Sequence, residues 1–114
     1  MTECLFCKII GGEVPSMTIY SDDDVVAIED INPQAPTHVL VLPRKHIPTT
    51  LDIGDDDLEL MGRCLAASNH IAREKGIDGS GFRIVLNSGA DAGQSVHHIH
   101  FHLIGGRPMM WPPG

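Results

Sequence analysis

Four of the chain's seven histidines lie in the stretch HHIHFHL, residues 97–103. From its second histidine onward, each histidine alternates with an apolar residue. Successive side chains of a β-strand point to opposite faces, so this alternation predicts a strand with one apolar face against a core. The opposite face would carry three histidines: His98, His100 and His102. Strict alternation of one residue type indicates a chemical site, because an ordinary solvated face would also contain Lys, Thr and Glu.

The rest of the chain predicts an α+β fold around this strand. The segment CLFCKIIGG, residues 4–12, is typical of a short apolar helix that ends at paired glycines. Four more strands are predicted, at residues 17–20, 25–30, 37–43 and 82–87. A parallel sheet would need a crossover helix at nearly every step, so we expect a five-stranded antiparallel sheet. One exposed sheet edge is expected to pair with a second copy of the chain.

Residues 55–76 predict the one long helix of the fold. Its apolar face is predicted to consist of Leu58, Met61, Leu65 and Ala72. Asp56 and Glu59 suit a capping box, and Gly76 suits a C-terminal stop. Cys64 lies near the apolar face and His70 near the solvated face, so we interpret both as structural.

Composition narrows the class of protein. With 114 residues, the chain has the length of a single domain, residues 1–114. Its formal net charge of −7 disfavours binding to nucleic acid or to an anionic membrane surface. There is no apolar run long enough for a membrane span and no signal-like start, which predicts a cytoplasmic protein. Three cysteines are too few for a disulfide framework, so the close pair Cys4 and Cys7 favours a metal or redox role.

Two chemistries suit three imidazoles on one strand. They can hold a metal ion, or one can act as a nucleophile while the others support it. The loop just before the histidines contains Gly93, Gln94 and Ser95, which can offer backbone N–H groups and a hydroxyl to an anion. We therefore predict a phosphate group beside the histidines.

The same residues carry a resemblance to a known family. HIHFHLI, residues 98–104, matches the alternating signature of the histidine triad superfamily of nucleotide hydrolases and transferases. DINPQAPTHVLVLPRKHIP, GQSVHHIHFHLIGGRP and the terminal WPPG resemble its branch of histidine triad nucleotide-binding proteins over essentially the whole chain. The resemblance implies a homodimer of α+β protomers with joined sheets. It also implies hydrolysis of purine nucleoside phosphoramidates to a nucleoside monophosphate and an amine.

The resemblance also implies roles for individual residues. His100 would attack the α-phosphorus and form a nucleotidyl-histidine intermediate that water resolves. His102 and Ser95 would hold phosphate oxygens and help to protonate the leaving amine. His98 and His38 would orient the triad. This chemistry would need no cofactor.

A nucleotide-binding pocket is implied in the same way. Asp30 would accept hydrogen bonds from the ribose hydroxyls. The apolar residues around the base would be Leu5, Phe6, Ile9, Ile28 and Ile31. Residues near the phosphate would be Asn87, Gly93, Gln94, Ser95, Val96, His100 and His102. The tail at residues 106–114, which contains Trp111, would reach across the dimer.

Two features depart from the best-known members. His97 stands where relatives usually carry a tyrosine, and we assign it no catalytic role. CLFC is similar to a zinc-binding variant seen among bacterial members, which implies a structural zinc ion held by Cys4, Cys7, His46 and His98. The alternative for the two cysteines is a pair of small buried thiols.

Three other functions stay open at this point. A metallohydrolase would place zinc on the three triad histidines. A dinucleoside polyphosphate hydrolase of the same superfamily would share the nucleophile. A nucleotide-binding module would bind the monophosphate with little turnover.

Overall fold

A computed structural model describes residues 4–114 of the chain. Helix α1 spans Leu5–Ile10 and helix α2 spans Leu58–Glu74. The strands are β1 (Thr18–Ser21), β2 (Val25–Glu29), β3 (Thr37–Pro43), β4 (Phe82–Leu86) and β5 (Phe101–Gly105). The predicted order of short helix, three strands, long helix and two strands is confirmed. Two 3-10 turns before α2, Thr50–Asp52 and Asp55–Asp57, were not predicted.

The five strands form one sheet in the order β1-β2-β3-β5-β4. All four neighbouring pairs are antiparallel, which confirms the predicted sheet. Strand β3 is central, and all seven of its residues are buried. Strands β1 and β4 are the two edges.

Each face of the sheet is covered by one helix. Helix α2 packs on a core that includes Val39, Val41 and Leu103. Helix α1 covers the other face, where Phe6 packs on a second apolar cluster from β2 and β3. Because side chains alternate along a strand, His38 on β3 and His102 on β5 project to the α1 face. The triad therefore lies between the sheet and the region of α1.

The buried stripe of α2 differs from the predicted one. Leu58 and Leu65 are 62% and 44% exposed, so their placement on the core face was wrong. The buried residues of the helix are Cys64, Ala67, Ser68, Ile71 and Ala72. These positions also form a helical stripe, and most of them are small, which lets the helix approach the sheet closely.

The start of α2 also differs from the prediction. Its N-cap is Asp57 rather than Asp56, and no side-chain hydrogen bond caps the helix. The Asp57 carboxylate instead accepts hydrogen bonds from the Gly54 N–H and the Lys45 ammonium group. The predicted capping box of Asp56 and Glu59 was therefore wrong, because Asp56 lies inside the preceding 3-10 turn and Asp57 is the N-cap residue.

The histidine strand begins later than its sequence pattern predicts. Regular strand pairing starts at Phe101, so His98 and His100 lie in the bend and irregular segment just before β5. The Ile99 N–H donates to the Ile47 carbonyl at 2.8 Å and holds this segment in place. His98 is fully buried and His100 is 5% exposed. His98 and His100 are therefore enclosed, because the rings of Phe6 on α1 and His46 in the loop after β3 pack against them.

Neither helix within residues 4–114 is long and apolar enough to cross a lipid bilayer.

Candidate active site and metal cluster

The middle histidine, His100, has one ring nitrogen fixed by the backbone. Its Nδ1 lies 2.8 Å from the carbonyl oxygen of His98. A carbonyl can only accept, so Nδ1 carries the proton and Nε2 keeps a lone pair. Phe6 packs edge-on against the imidazole, with ring centroids 4.9 Å apart. Burial lowers the pKa of His100, and the hydrogen bond to the His98 carbonyl offsets this in part. The ring is therefore neutral, with a lone pair on Nε2 that can act as a nucleophile.

The third histidine, His102, is fixed by a chain of two hydrogen bonds. The Gln34 N–H donates to Nδ1 of His38 at 3.0 Å, so the proton of a neutral His38 is on Nε2. His38 Nε2 lies 2.9 Å from His102 Nδ1 and donates to it. His102 therefore carries its own proton on Nε2. Its ring centroid is 4.9 Å from that of His100, so this N–H is available to a group bound beside His100.

Electrostatics keep His102 neutral. Burial is the main reason that its pKa falls to about 4, and the neighbouring His100 and His38 lower it further. The negative charge of Asp30 raises the pKa of His102 but does not compensate for burial and the two histidines. At neutral pH, His102 is thus a neutral hydrogen-bond donor beside His100.

Asp30 follows β2 and contacts the same chain of groups. Its Oδ2 lies 3.2 Å from His38 Nε2, and its Oδ1 accepts the Asn32 N–H at 2.8 Å. The side chain is 17% exposed, so a ligand can still reach it. The structure thus brings the residue predicted to bind ribose next to the triad.

The loop before the triad is used differently from the prediction. The Gly93 N–H donates to the Ala90 carbonyl and the Gln94 N–H donates to the Gly89 carbonyl, so both amides are engaged in the turn. The Gln94 side chain is buried and bonds the Gly89 N–H and the carbonyls of Pro48 and Val96. The predicted anion nest of Gly93 and Gln94 was wrong, because these groups build the loop. Ser95 is exposed and remains the loop's candidate for a phosphate contact.

The five residues predicted to surround the base divide into two groups. Phe6 and Ile28 are buried in the apolar cluster under α1, and Ile9 packs against it. Leu5 is 45% exposed and Ile31 is fully exposed. Val96 packs against the same cluster, and Asn87 is half-buried just after β4. The exposed pair can contact a ligand, whereas the buried residues shape the wall behind it.

A second cluster lies at the start of α1. The ligand atoms of Cys4, Cys7, His46 and His98 all lie within 4.8 Å of one another. His98 Nδ1 is 3.5 Å from the Cys4 sulfur, 3.6 Å from the Cys7 sulfur and 3.2 Å from His46 Nδ1. The Cys7 sulfur is 3.4 Å from His46 Nδ1.

These distances fit a tetrahedral zinc ion. Usual Zn–S and Zn–N bond lengths at tetrahedral angles separate sulfur from nitrogen by about 3.5 Å and two nitrogens by about 3.3 Å. His98 Nε2 donates to the Pro43 carbonyl at 2.8 Å, which leaves the lone pair of Nδ1 directed at the cluster. A backbone carbonyl on the opposite ring nitrogen is the usual support for a metal-bound histidine. The residues predicted from the resemblance thus match zinc in identity and in spacing.

The geometry disagrees with a metal ion shared by the three triad histidines. His98 uses Nε2 on the Pro43 carbonyl and aims Nδ1 away from the triad. His100 uses Nδ1 on the His98 carbonyl. Among residues 4–114, the triad histidines do not form a set of converging ligand atoms. The alternative of a metallohydrolase with zinc on the three triad histidines was therefore wrong.

The remaining predicted residues lie outside both clusters. His97 is exposed, and His70 is largely exposed and 3.4 Å from Glu74. Cys64 is fully buried, and burial raises the pKa of its thiol to about 12. Trp111 is 82% exposed.

Sequence reasoning missed two contributors, the N–H of Gln34 and the carbonyl of Pro43. Both act through backbone atoms, and no side-chain pattern signals such a role. Each fixes the tautomer of a histidine that the pattern did identify.

Comparison with known proteins agrees with this geometry. A family model described as HIT domain matches residues 11–109. A purine nucleoside phosphoramidase from Escherichia coli is 45% identical over 94% of this chain and 90% of its own length. A 14 kDa zinc-binding protein from Brassica juncea is 45% identical over 98% of this chain and 100% of its own. The crystal structure of a HIT family hydrolase from Legionella pneumophila superposes with a TM-score of 0.96, at 48% identity over 98% of this chain and 100% of that one. With its histidine triad in place, the chain belongs to the HIT domain family.

Proposed function

We propose that this protein is a purine nucleoside phosphoramidase that works through His100. The observation that carries the proposal is the fixed tautomer of His100, whose Nδ1–H is held by the His98 carbonyl so that Nε2 keeps its lone pair. The similarity to the phosphoramidase from Escherichia coli supports the choice of substrate class.

The proposed chemistry proceeds in two displacements. His100 Nε2 attacks the α-phosphorus, a P–N bond to the imidazole forms, and the P–N bond to the substrate's amine breaks. The His102 Nε2–H and the Ser95 hydroxyl would donate to the phosphoryl oxygens and assist protonation of the departing amine. Water then attacks the nucleotidyl-histidine, which releases the monophosphate and restores His100.

The nucleotide would lie over the exposed side of the same site. Leu5 and Ile31 expose apolar surface that suits a purine, and Asp30 offers carboxylate oxygens that suit the vicinal hydroxyls of ribose. Phe6, Ile9 and Ile28 would support this pocket from behind. Asn87 and Val96, with the loop of Gly93 and Gln94, would frame the phosphate end.

Substrate comparison tests the proposal directly. We expect release of adenosine monophosphate from adenosine phosphoramidate to be at least about 100-fold more efficient in kcat/KM than hydrolysis of diadenosine polyphosphates. Liquid chromatography of timed samples measures both reactions. Faster cleavage of the polyphosphate would assign the chain to the alternative hydrolase class. Tight binding of adenosine monophosphate with no turnover of either substrate would make it a binding module.

We also propose that the protein is a homodimer. Strand β4 is an edge of the sheet, and an exposed edge is a template for pairing with another strand. Leu58 and Leu65 lie on the flank of α2 away from His70, whose ring contacts Tyr20 of the other edge strand. They therefore extend an apolar surface towards β4.

The C-terminal tail borders the same edge. Arg83 on β4 donates to the Met110 carbonyl at 3.0 Å, which holds the tail beside the strand. Trp111 follows it with most of its surface exposed. A partner joined at β4 would bring this tail close to the partner's own site, in line with the role expected for residues 106–114.

Replacing Leu65 with aspartate is expected to weaken the dimer at least about 100-fold, because a buried unpaired carboxylate is costly at an apolar interface. Sedimentation equilibrium over a range of concentrations measures the dissociation constant. Met17→Asp is the matched control, since Met17 is 68% exposed and precedes the opposite edge strand. Equal dissociation constants for the parent and Leu65→Asp would contradict this interface.

We also propose a structural zinc ion held by Cys4, Cys7, His46 and His98. The chemistry at His100 would need no cofactor. We also propose that residues 1–114 act as a single cytoplasmic domain. The net charge of −7 supports a small-molecule substrate over nucleic acid or an anionic membrane.

A further inference from the structure

We propose that Asp30 is a positioning residue for the triad, in addition to binding ribose. Through His38, it would couple occupation of the ribose site to the hydrogen bond that holds His102 in its working tautomer. This inference rests on the proposed phosphoramidase function and concerns how the substrate's sugar influences the chemical step.

One proton lies between two acceptors. His38 Nε2 is 2.9 Å from His102 Nδ1 and 3.2 Å from Asp30 Oδ2. The Gln34 N–H occupies the other ring nitrogen of His38, so a neutral His38 has only this proton to share. The His38 side chain is 4% exposed, which limits replacement of either acceptor by water.

These three side chains also have the spacing of a metal site. The direction of the Gln34 hydrogen bond argues against a metal ion there. It places the proton of His38 on Nε2, the nitrogen that would have to bind the metal ion. The cluster is therefore better described as a hydrogen-bonded chain that ends at His102.

Ribose binding would change how the proton is shared. Asn32 N–H holds Asp30 Oδ1 at 2.8 Å, so the carboxylate keeps Oδ2 towards His38. Ribose hydroxyls that donate to the carboxylate would make it a weaker acceptor for His38. The His38 Nε2–H would then donate a stronger hydrogen bond to His102 Nδ1. This bond would keep the proton of His102 on Nε2, where it can donate to the substrate's phosphoryl group.

A substrate without the hydroxyls separates binding from positioning. With the parent protein, we expect kcat for 2′,3′-dideoxyadenosine phosphoramidate to be about fivefold below kcat for adenosine phosphoramidate, besides any rise in KM. A role in ribose binding alone would change KM and leave kcat equal. Equal kcat values for the two substrates would overturn the proposal.

Two variants of Asp30 should then behave differently. Asp30→Ala removes both the ribose contact and the competing acceptor, so its KM for the ribose substrate should rise while its kcat should be equal on the two substrates. In Asp30→Asn, the Asn32 N–H should still donate to the side-chain oxygen of the new asparagine. The asparagine NH₂ group then faces the His38 N–H, so two donors oppose each other. We expect kcat to fall about tenfold on both substrates. Identical kcat values for the two variants would also overturn the proposal.

Nuclear magnetic resonance provides a readout that does not depend on turnover. Nitrogen-15 spectra of the imidazoles should show the Nε2–H tautomer for both His38 and His102 in the parent. Adenosine monophosphate should shift the His38 Nε2–H resonance more than its 2′,3′-dideoxy analogue does, and this difference should vanish in Asp30→Ala. Equal shifts would contradict the coupling. Asp78→Asn is the control, since Asp78 is an exposed aspartate after α2.

Failure of the phosphoramidase function and failure of the positioning role of Asp30 would give different results. If the parent does not cleave adenosine phosphoramidate, the proposed function fails, and the tautomer comparison alone decides whether Asp30 positions the triad. If the parent cleaves both substrates with equal kcat, the function stands and the positioning role fails.

Discussion

Replacing His100 with asparagine should lower kcat for adenosine phosphoramidate by at least about 10³-fold, because the nucleophilic nitrogen is removed. The asparagine amide can still donate to the His98 carbonyl, which accepts the His100 Nδ1–H at 2.8 Å in the parent. The variant therefore separates loss of the nucleophile from loss of the buried hydrogen bond. Steady-state release of the monophosphate measures the effect.

The neighbouring histidine provides a matched control. His97 is exposed and adjacent in sequence to the triad, so His97→Asn should keep kcat within about twofold of the parent. Acid quenching of the parent during turnover should trap a nucleotidyl adduct on the protein, and His100→Asn should yield none. Turnover by His100→Asn at the parent's rate would exclude His100 as the nucleophile.

The sequence pattern predicted the triad's side of the sheet but not its burial. Alternation between histidine and apolar residues depends only on strand geometry, so it could be read locally. The cover over His98 and His100 comes from α1, which is about ninety positions away in the chain, and no local pattern encodes that contact. The pattern also did not predict that strand pairing begins at Phe101 rather than at the first histidine.

The long helix shows a different limit of sequence reasoning. Its amphipathic pattern was sufficient to predict its existence and its end near Gly76. Apolarity alone then favoured Leu58 and Leu65 for the core, while the helix buries Ala67 and Ser68 against the sheet. Close packing on a sheet selects small residues, and the dimer interface proposed above would explain why the exposed leucines are apolar. Sequence periodicity cannot distinguish these two kinds of apolar surface.

His98 connects the two clusters of the molecule. Its side chain directs Nδ1 at the cysteines and His46, while its backbone carbonyl holds the Nδ1–H of His100. The Pro43 carbonyl fixes its ring through Nε2. A zinc ion held by this cluster would therefore stabilise the segment that carries the proposed nucleophile.

Removing one zinc ligand should produce a large loss of stability. Cys7→Ser is expected to abolish stoichiometric zinc and to lower the free energy of unfolding by about 3–5 kcal/mol relative to the zinc-loaded parent, since metal that binds only the folded chain stabilises it. Metal content by mass spectrometry and urea denaturation measure the two effects. The loss should grow as the free zinc concentration rises, because zinc stabilises the parent and not the variant, and it should match the loss caused by chelator in the parent.

The third cysteine of the chain is the control that makes this result specific. Cys64 is fully buried on the sheet-facing side of α2 and outside the metal cluster, so Cys64→Ala should keep one zinc ion per chain and lose only about 1 kcal/mol from the small cavity. At temperatures where zinc-free Cys7→Ser is still folded, it should retain turnover, because the proposed attack by His100 uses no metal ion. A Cys7→Ser protein that stays folded but is inactive until zinc is restored would instead place the metal in the chemistry. Unchanged zinc content in Cys7→Ser would contradict the four-ligand site itself.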